Sequence, residues 1–368
     1  MSEATRSASS DDAASEIRAL LADTVARLFG EEVTRERVVV AESGEWLGSL
    51  WEAVEAAGLL RAHLPESAGG AGAGWREAFV VAHAAGRHCV PLPVAETLLA
   101  GWLLTRAGLA IPSGPLAVAP RPLPSTALRS GRIEATLARV PWGRHASNAV
   151  VIVPAGTGVT IATIPLGGAE VRPGRNLALE PRDELRVAVA PSAEGRADLP
   201  ATVLGSLGAM LRAAQMAGAL EAILDLAVAY ANERVQFGRP IGKFQIIQQE
   251  LARLASHVAV AGTAAELAFR AVDEARSFKG EIGRPGDPTF EIACAKVVVG
   301  EAAEVGPRIA HQVHGAIGFT YEHSLHFATR RLWAWRSEFG TGEEWAARLG
   351  ARVLTAGADA LWPSITAR

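Results

Sequence analysis

The sequence predicts an α+β protein of three parts: an N-terminal all-α domain, a middle β-rich domain and a C-terminal four-helix bundle. Three observations carry this. Apolar residues recur at helical spacing over residues 13–110 and again over residues 200–368. Between them, over residues 111–199, proline and glycine become frequent and short β-branched runs appear. The last region holds enough apolar helix for an antiparallel four-helix bundle. At 368 residues the chain is long enough to bury a large core.

The opening MSEATRSASSDDAASE is polar and acidic, with no cationic start and no apolar run, so it does not read as a signal peptide. Residues 1–12 are expected to form a disordered tail leading into a helix near Ala13. EIRALLADTVARLF and GEWLGSLWEAVEAAGLL carry helical periodicity, and WREAFVVAHAAGRHC follows as a further helix. The Pro/Gly-rich LPESAGGAGAGW (Leu64 to Trp75) marks a loop before it. In the middle region NAVVIVPA, GVTIATIPL and LRVAVAP read as strands. Three long helices then follow: GSLGAMLRAAQMAGALEAILDLAVAYANERV, KFQIIQQELARLASHVAVAGTAAELAFRAVDEA and PTFEIACAKVVVGEAAEVGPRIAHQVHG. A Gly/Pro loop, Phe278 to Pro288, separates the last two, and two shorter helices end the chain.

Composition narrows the function. Apolar residues make up 49% and charged residues 20%, as in ordinary globular proteins. The net charge of −3, with no dense Lys/Arg block, points away from nucleic acid and anionic membranes. No run of 18 uninterrupted apolar residues occurs, so no transmembrane helix is expected and a cytoplasmic protein is. Cys89 and Cys294 lie in apolar segments without CxxC spacing and read as two reduced core thiols. His311, His314 and His323 fit no strong zinc spacing and have no carboxylate or cysteine beside them, so no metal is expected. The nine tryptophans, Trp333, Trp335 and Trp345 among them, are expected to pack the bundle and a subunit interface.

Two stretches carry a resemblance: YANERVQFGRPIGKFQIIQQELA (Tyr230 to Ala252) and HQVHGAIGFTYEHSLHFATRRLW (His311 to Trp333). With LPESAGGAG, they resemble motifs of the acyl-CoA dehydrogenase family, in the family's order. The resemblance implies that family's fold, FAD, an acyl-CoA thioester substrate, an electron-transfer flavoprotein or similar acceptor, and a tetramer in which FAD bridges subunits. A carboxylate would remove an α-proton while the β-hydride moves to the flavin. By the same resemblance, Arg234 lies where the family sets an arginine against the FAD pyrophosphate of a neighbouring subunit, a group a guanidinium fork suits. Phe237 matches an aromatic on the adenosine half, and Gln245 a nucleotide-edge contact. Gln312, Gly315 and Ala316 match Gln-x-x-Gly-Gly, where glycines admit a phosphate-bearing chain; the methyl of Ala316 is expected to narrow that approach. Gly340 and Thr341 match the Gly-Thr that touches FAD after the family's base.

The departures matter as much. Counting from Phe319, the family's usual glutamate position falls on Phe339, whose ring accepts no proton. The alternative base location of some members falls near Gly208, and no carboxylate occurs from Ala201 to Gly218. The family's flavin-ring motifs are absent between Ile111 and Pro200. The pattern resembles the base-less subunit of actinobacterial α2β2 acyl-CoA dehydrogenases acting on steroid side-chain thioesters, completing a homologous catalytic chain. A homo-oligomer with Glu338 as a displaced base is a second reading, with Glu343 and Glu344 as further candidates. One residue is a rotation of about 100°, which would turn Glu338 away from the flavin, and the plainer reading of Glu338 is a solvated carboxylate or one paired with Arg330, Arg331 or Arg336. A flavin-free scaffold is a third.

Overall fold

The computed structural model describes residues 3–275, 278–282, 284 and 286–366. The expected loop Phe278 to Pro288 falls partly outside the described residues. The N-terminal part is five helices: α1 (Glu3–Glu32), α2 (Arg35–Ser43), α3 (Gly48–Ala56), α4 (Trp75–Arg87) and α5 (Val94–Arg106). The backbone is helical from Glu3, so residues 3–12 of the segment expected as a disordered tail begin α1.

Eight strands follow: β1 (Leu116–Val118), β2 (Leu128–Arg129), β3 (Arg132–Pro141), β4 (Asn148–Ala155), β5 (Gly158–Pro165), β6 (Glu170–Arg172), β7 (Arg182–Val189) and β8 (Ala193–Ala197). They make two four-stranded sheets, ordered β1-β4-β5-β8 and β2-β3-β7-β6. All pairings are antiparallel except β1 with β4. Strand alternation explains how the domain is seated. On β4, Val151 and Val153 face a small core shared with Ile133, Leu137 and Leu185 of the other sheet. Val150 and Ile152 point the opposite way, into the main core with the helices.

The C-terminal part opens with α6 (Val203–Glu233), then the hairpin β9 (Val235–Gln236) and β10 (Arg239–Pro240), then α7 (Gln245–Asp273) and α8 (Thr289–His314). Three helices finish the chain: α9 (Leu325–Trp335), α10 (Gly342–Ala356) and α11 (Ala358–Thr366). By length and composition α6 could cross a membrane. Here it is the central helix, buried against α4, α7 and α8. Two glycines set the crossing with α4. A Cβ on Gly86 would lie 1.9 Å from the Gln215 carbonyl oxygen, and one on Gly218 would lie 1.9 Å from that of His83. The two backbones therefore touch, and any side chain at either point would part the N-terminal domain from the bundle. The start of α4 is also tied to the end of α7: Asp273 accepts from the backbone N–H of Trp75 at 2.6 Å and of Arg76 at 2.9 Å, groups a helix start leaves unsatisfied. Cys89 is buried, whereas Cys294 on α8 is only half-buried, shallower than the core position expected.

Candidate functional site

The residues singled out from sequence fall into two groups at opposite ends of the bundle. At one end α6 stops, α7 begins and α8 stops. Tyr230 of α6 stacks on His314 of α8 at 4.7 Å, with His323 edge-on to His314 at 4.6 Å. Arg234 is the exposed C-cap of α6. The β9–β10 hairpin has a two-residue tip, Phe237 and Gly238, with φ of 52° and 76°. Positive φ at both positions defines the hairpin turn that usually selects Asn-Gly. A phenylalanine there is a strained choice, and its ring stands 91% exposed. Beside it Phe244 lies 6.1 Å away, carrying the Arg239 guanidinium over its face at 4.4 Å. Gln245, the first residue of α7, and Gln312, near the end of α8, are exposed at this end too. Gly315 has φ 63° and open space where a side chain would go, and Ala316 is exposed beside it.

The loop carrying Gly315 rests on imidazoles. His311 is stacked between Phe319 at 4.4 Å and Trp333 at 6.0 Å, with its Nε2 3.1 Å from the Thr329 hydroxyl. Burial, then the neighbouring imidazoles, pushes the pKa of His311 down. His314 Nδ1 meets the Ala310 carbonyl at 2.7 Å. No group of three or more His, Cys, Asp or Glu among the described residues is placed to hold a metal ion.

The second group lies at the other end of α6, in the loop between α9 and α10. Phe339 has φ 56° and its ring packs on Gly208 of α6. A Cβ at Gly208 would come within 2.4 Å of that ring. The two positions at which the resemblance looks for a base, 339 and the stretch near 208, are thus in contact, and the phenyl ring fills the space between them. Ala95, Leu99, Val118 and Leu211 close the rest, leaving room for about one water molecule. Gly340 has φ 98°, and a side chain there would meet the Trp345 indole nitrogen at 2.8 Å. That indole donates to the Phe339 carbonyl at 3.0 Å. Thr341 caps α10: its hydroxyl accepts from the Glu344 N–H at 3.2 Å, and Glu344 returns a carboxylate oxygen to the Thr341 N–H at 2.8 Å. Glu344 is thereby a capping residue, and Glu343 is an exposed first-turn carboxylate.

Glu338 is neither solvated nor paired with its sequence neighbours. It accepts from Arg182 Nε at 2.7 Å, Arg182 Nη2 at 3.1 Å and Arg212 Nε at 2.8 Å. Arg330, Arg331 and Arg336 turn instead to Glu42, Glu180 and Glu304. Burial alone would raise the Glu338 pKa, but the two guanidinium charges hold it down at about 2. A carboxylate held by two guanidiniums and so weakly basic is poorly suited to take a substrate proton, which counts against Glu338 as a displaced base. Lys296 completes the loop. Its buried amine donates to the carbonyls of Trp335 at 3.1 Å and Glu338 at 2.8 Å. Arg182, Arg212, Glu96, Glu180 and Lys296 were not singled out from sequence. A signal existed: Arg212, Glu96 and Lys296 each interrupt an apolar stretch of helix, where an unpaired charge is too costly to bury.

Along α6 the 26 residues from Gly208 to Arg234 rise roughly 39 Å at 1.5 Å per residue. The exposed group and the Phe339 group therefore cannot contact one compact ligand within a single chain.

This architecture is that of the acyl-CoA dehydrogenases, and the chain belongs to that family. Residues 15–110 match its N-terminal domain and residues 206–354 its C-terminal domain. Acyl-CoA dehydrogenase IpdE2 of Mycolicibacterium smegmatis is 30% identical over 347 residues, covering 92% of this chain and all of that one. Among solved structures, the ChsE4–ChsE5 complex from Mycobacterium tuberculosis superposes with a TM-score of 0.80 at 24% identity, covering 93% of this chain and 98% of that one. The Tcur3481–Tcur3483 steroid acyl-CoA dehydrogenase gives 0.81 at 22%, covering 92% and 98%. FAD is the cofactor of this family. The two ends of the bundle fit it unequally. The exposed Arg234, the presented Phe237 ring and the open backbone at Gly315 suit a phosphate and an adenine. At the other end the Phe339 ring closes on Gly208 and leaves only a water-sized space.

Proposed function

We propose that this chain is the base-less subunit of a FAD-dependent acyl-CoA dehydrogenase, completing the cofactor site of a homologous catalytic chain. One observation carries the reading: the Phe339 ring seals both base positions over Gly208, while the nucleotide-side residues stand exposed at the far end of α6. FAD, when bound, supplies a ring that accepts hydride from the acyl chain. This chain's part is binding. Arg234 would pair with the pyrophosphate through its fork, Phe237 would stack on the adenine, and Gln245 and Gln312 would bond its polar edges. Gly315 lets the phosphate chain approach the backbone. The α-proton acceptor then belongs to the partner. The exposed Val235, Ile246, Ile317, Phe319 and Tyr321 at the same end supply an apolar rim for the contact. The α2β2 arrangement is supported by the two-chain composition of the ChsE4–ChsE5 and Tcur3481–Tcur3483 structures. A bulky acyl group such as a steroid side chain is supported by the steroid enzyme among these neighbours.

Co-expression with a family member that keeps its base tests the reading. Purified alone, the chain should be colourless and inactive. With the partner, the complex should show flavin absorbance and reduce a dye with an acyl-CoA substrate. A yellow, active preparation of this chain alone would overturn the proposal.

A further inference from the structure

The loop that lost its base is held by charges from every part of the chain. Glu96, in the first turn of α5, pairs with Arg212 of α6. Arg212 passes to Glu338 in the loop after α9, and its guanidinium lies 5.8 Å from the Trp335 ring and 5.9 Å from the Phe339 ring. Glu338 passes to Arg182 of β7 at 2.7 Å, and Arg182 to Glu180 at 3.0 Å. Glu180 also accepts from the Trp335 indole at 2.8 Å and lies 3.4 Å from Arg331 of α9. Arg331 and Arg330 reach Glu42 of α2 at 3.8 and 2.7 Å. Four carboxylates (Glu42, Glu96, Glu180, Glu338) meet four guanidiniums (Arg182, Arg212, Arg330, Arg331), so the chain of charges is balanced. None of the eight side chains is more than 15% exposed.

Burying ion pairs is a poor way to gain stability, since apolar residues of equal volume often serve as well. What it adds is direction. A carboxylate held by two guanidiniums from two domains fixes their mutual placement, as a greasy contact does not. We infer that the former substrate cleft of this chain is a salt-bridged joint, in which Glu338 fastens the β domain through Arg182 to the bundle through Arg212, and Arg212 fastens the N-terminal domain through Glu96. The joint takes over the space in which a catalytic chain would admit its thioester, so the three domains stay fixed with nothing bound between them.

Hydrogen exchange followed by mass spectrometry on the full chain tests this, comparing wild type with Glu338→Gln. The joint requires exchange to quicken at least tenfold in residues 182–189 of β7 and residues 94–97 of α5, while α7, which carries no member of the cluster, is unchanged. Acceleration spread equally through α7, or none in the two named segments, overturns it. Should Glu338→Gln fail to fold, Glu338→Asp keeps the charge but shortens its reach by one methylene. It is judged by the same pattern: local quickening supports the joint, and uniform or absent quickening overturns it. The measurement needs neither cofactor nor partner, so its outcome is separate from that of the subunit proposal.

Discussion

Replacing Glu338 by glutamine keeps the shape of the side chain and removes its charge. The carboxyl pKa is held at about 2 against an ordinary 4.5. That depression corresponds to about 3 kcal/mol of folding stability at neutral pH. The side chain is only 10% exposed, so solvent screening takes little from this figure. Breaking a buried ion pair costs about 3–5 kcal/mol in general, which agrees. Because the folded-state pKa is depressed, this stabilisation is complete above pH 4.5 and is lost as pH falls towards 2. Roughly two fifths of it should have gone by pH 3.5. For a chain of 368 residues melting as one unit, the loss at pH 7 translates to a melting temperature about 4 °C lower. Urea titrations of wild type and Glu338→Gln at pH 7 and pH 3.5 provide the assay. The gap between them should narrow on acidification. A gap that stays constant, or a variant as stable as wild type at pH 7, would refute the assignment of Glu338 as the buried anion of this cluster.

Three further outcomes are expected. Gly208→Ala should cost about 1–3 kcal/mol by forcing its methyl into the Phe339 ring, and combining it with Phe339→Ala should cancel at least about 1 kcal/mol of that cost in a double-mutant cycle of denaturation midpoints. Burial depresses the Lys296 amine to about 7 from 10.5, so the unfolded chain binds more protons between those values and stability rises with pH across that window. Wild type should therefore gain on Lys296→Met as pH goes from 7 to 9.5, and a flat difference in urea midpoints would count against the buried amine. In the complex with a catalytic partner, Arg234→Ala and Phe237→Ala should each weaken FAD retention roughly tenfold in equilibrium dialysis while leaving the circular dichroism spectrum of the chain unchanged.

The order of helices, sheets and bundle was legible because each part has its own periodicity, 3.6 in EIRALLADTVARLF and 2 in NAVVIVPA. The register from Phe319 to Gly340-Thr341 singled out Phe339, the stretch near Gly208 was singled out separately, and nothing in either stretch announced that the ring packs on that glycine. What was hidden was long-range. Glu338 looked as if it belonged with Arg330, Arg331 and Arg336, whereas its partners lie 156 and 126 positions away. Sequence proximity favoured the wrong arginines because α9 turns Arg330 and Arg331 towards Glu42 and Glu180 instead. The start of α1 was missed for a local reason: Ser, Asp and Ala in SASSDDAAS lack an apolar stripe, so no period announces a helix there. Likewise, Phe237 and Phe339 gave no sign of their positive φ, since the left-handed region favours Gly and Asn and a bulky residue there is an exception.

Placing a carboxylate at position 339 by itself should not raise turnover of acyl-CoA thioesters. In Phe339→Glu the new carboxylate would occupy the ring's place, about 6 Å from the Arg212 guanidinium, within a site that already carries the Glu338 charge. Arg212 stays protonated, because Glu96 and Glu338 outweigh the burial that would otherwise lower its pKa. Arg212 is already paired with Glu96 and Glu338, so the added carboxyl would be buried without a cation of its own and beside a like charge, which favours its neutral form over a proton-accepting one. Nor would the walls at Ala95, Leu99 and Leu211 move to admit a thioester. The expected result is a Phe339→Glu chain whose turnover of acyl-CoA thioesters, supplied with FAD and a dye, does not exceed that of wild type. A tenfold rise would show that the cleft opens readily and that the phenyl ring was the single obstacle. No rise, together with the local loosening of β7 expected for Glu338→Gln, would place the obstacle in the charged joint around the ring.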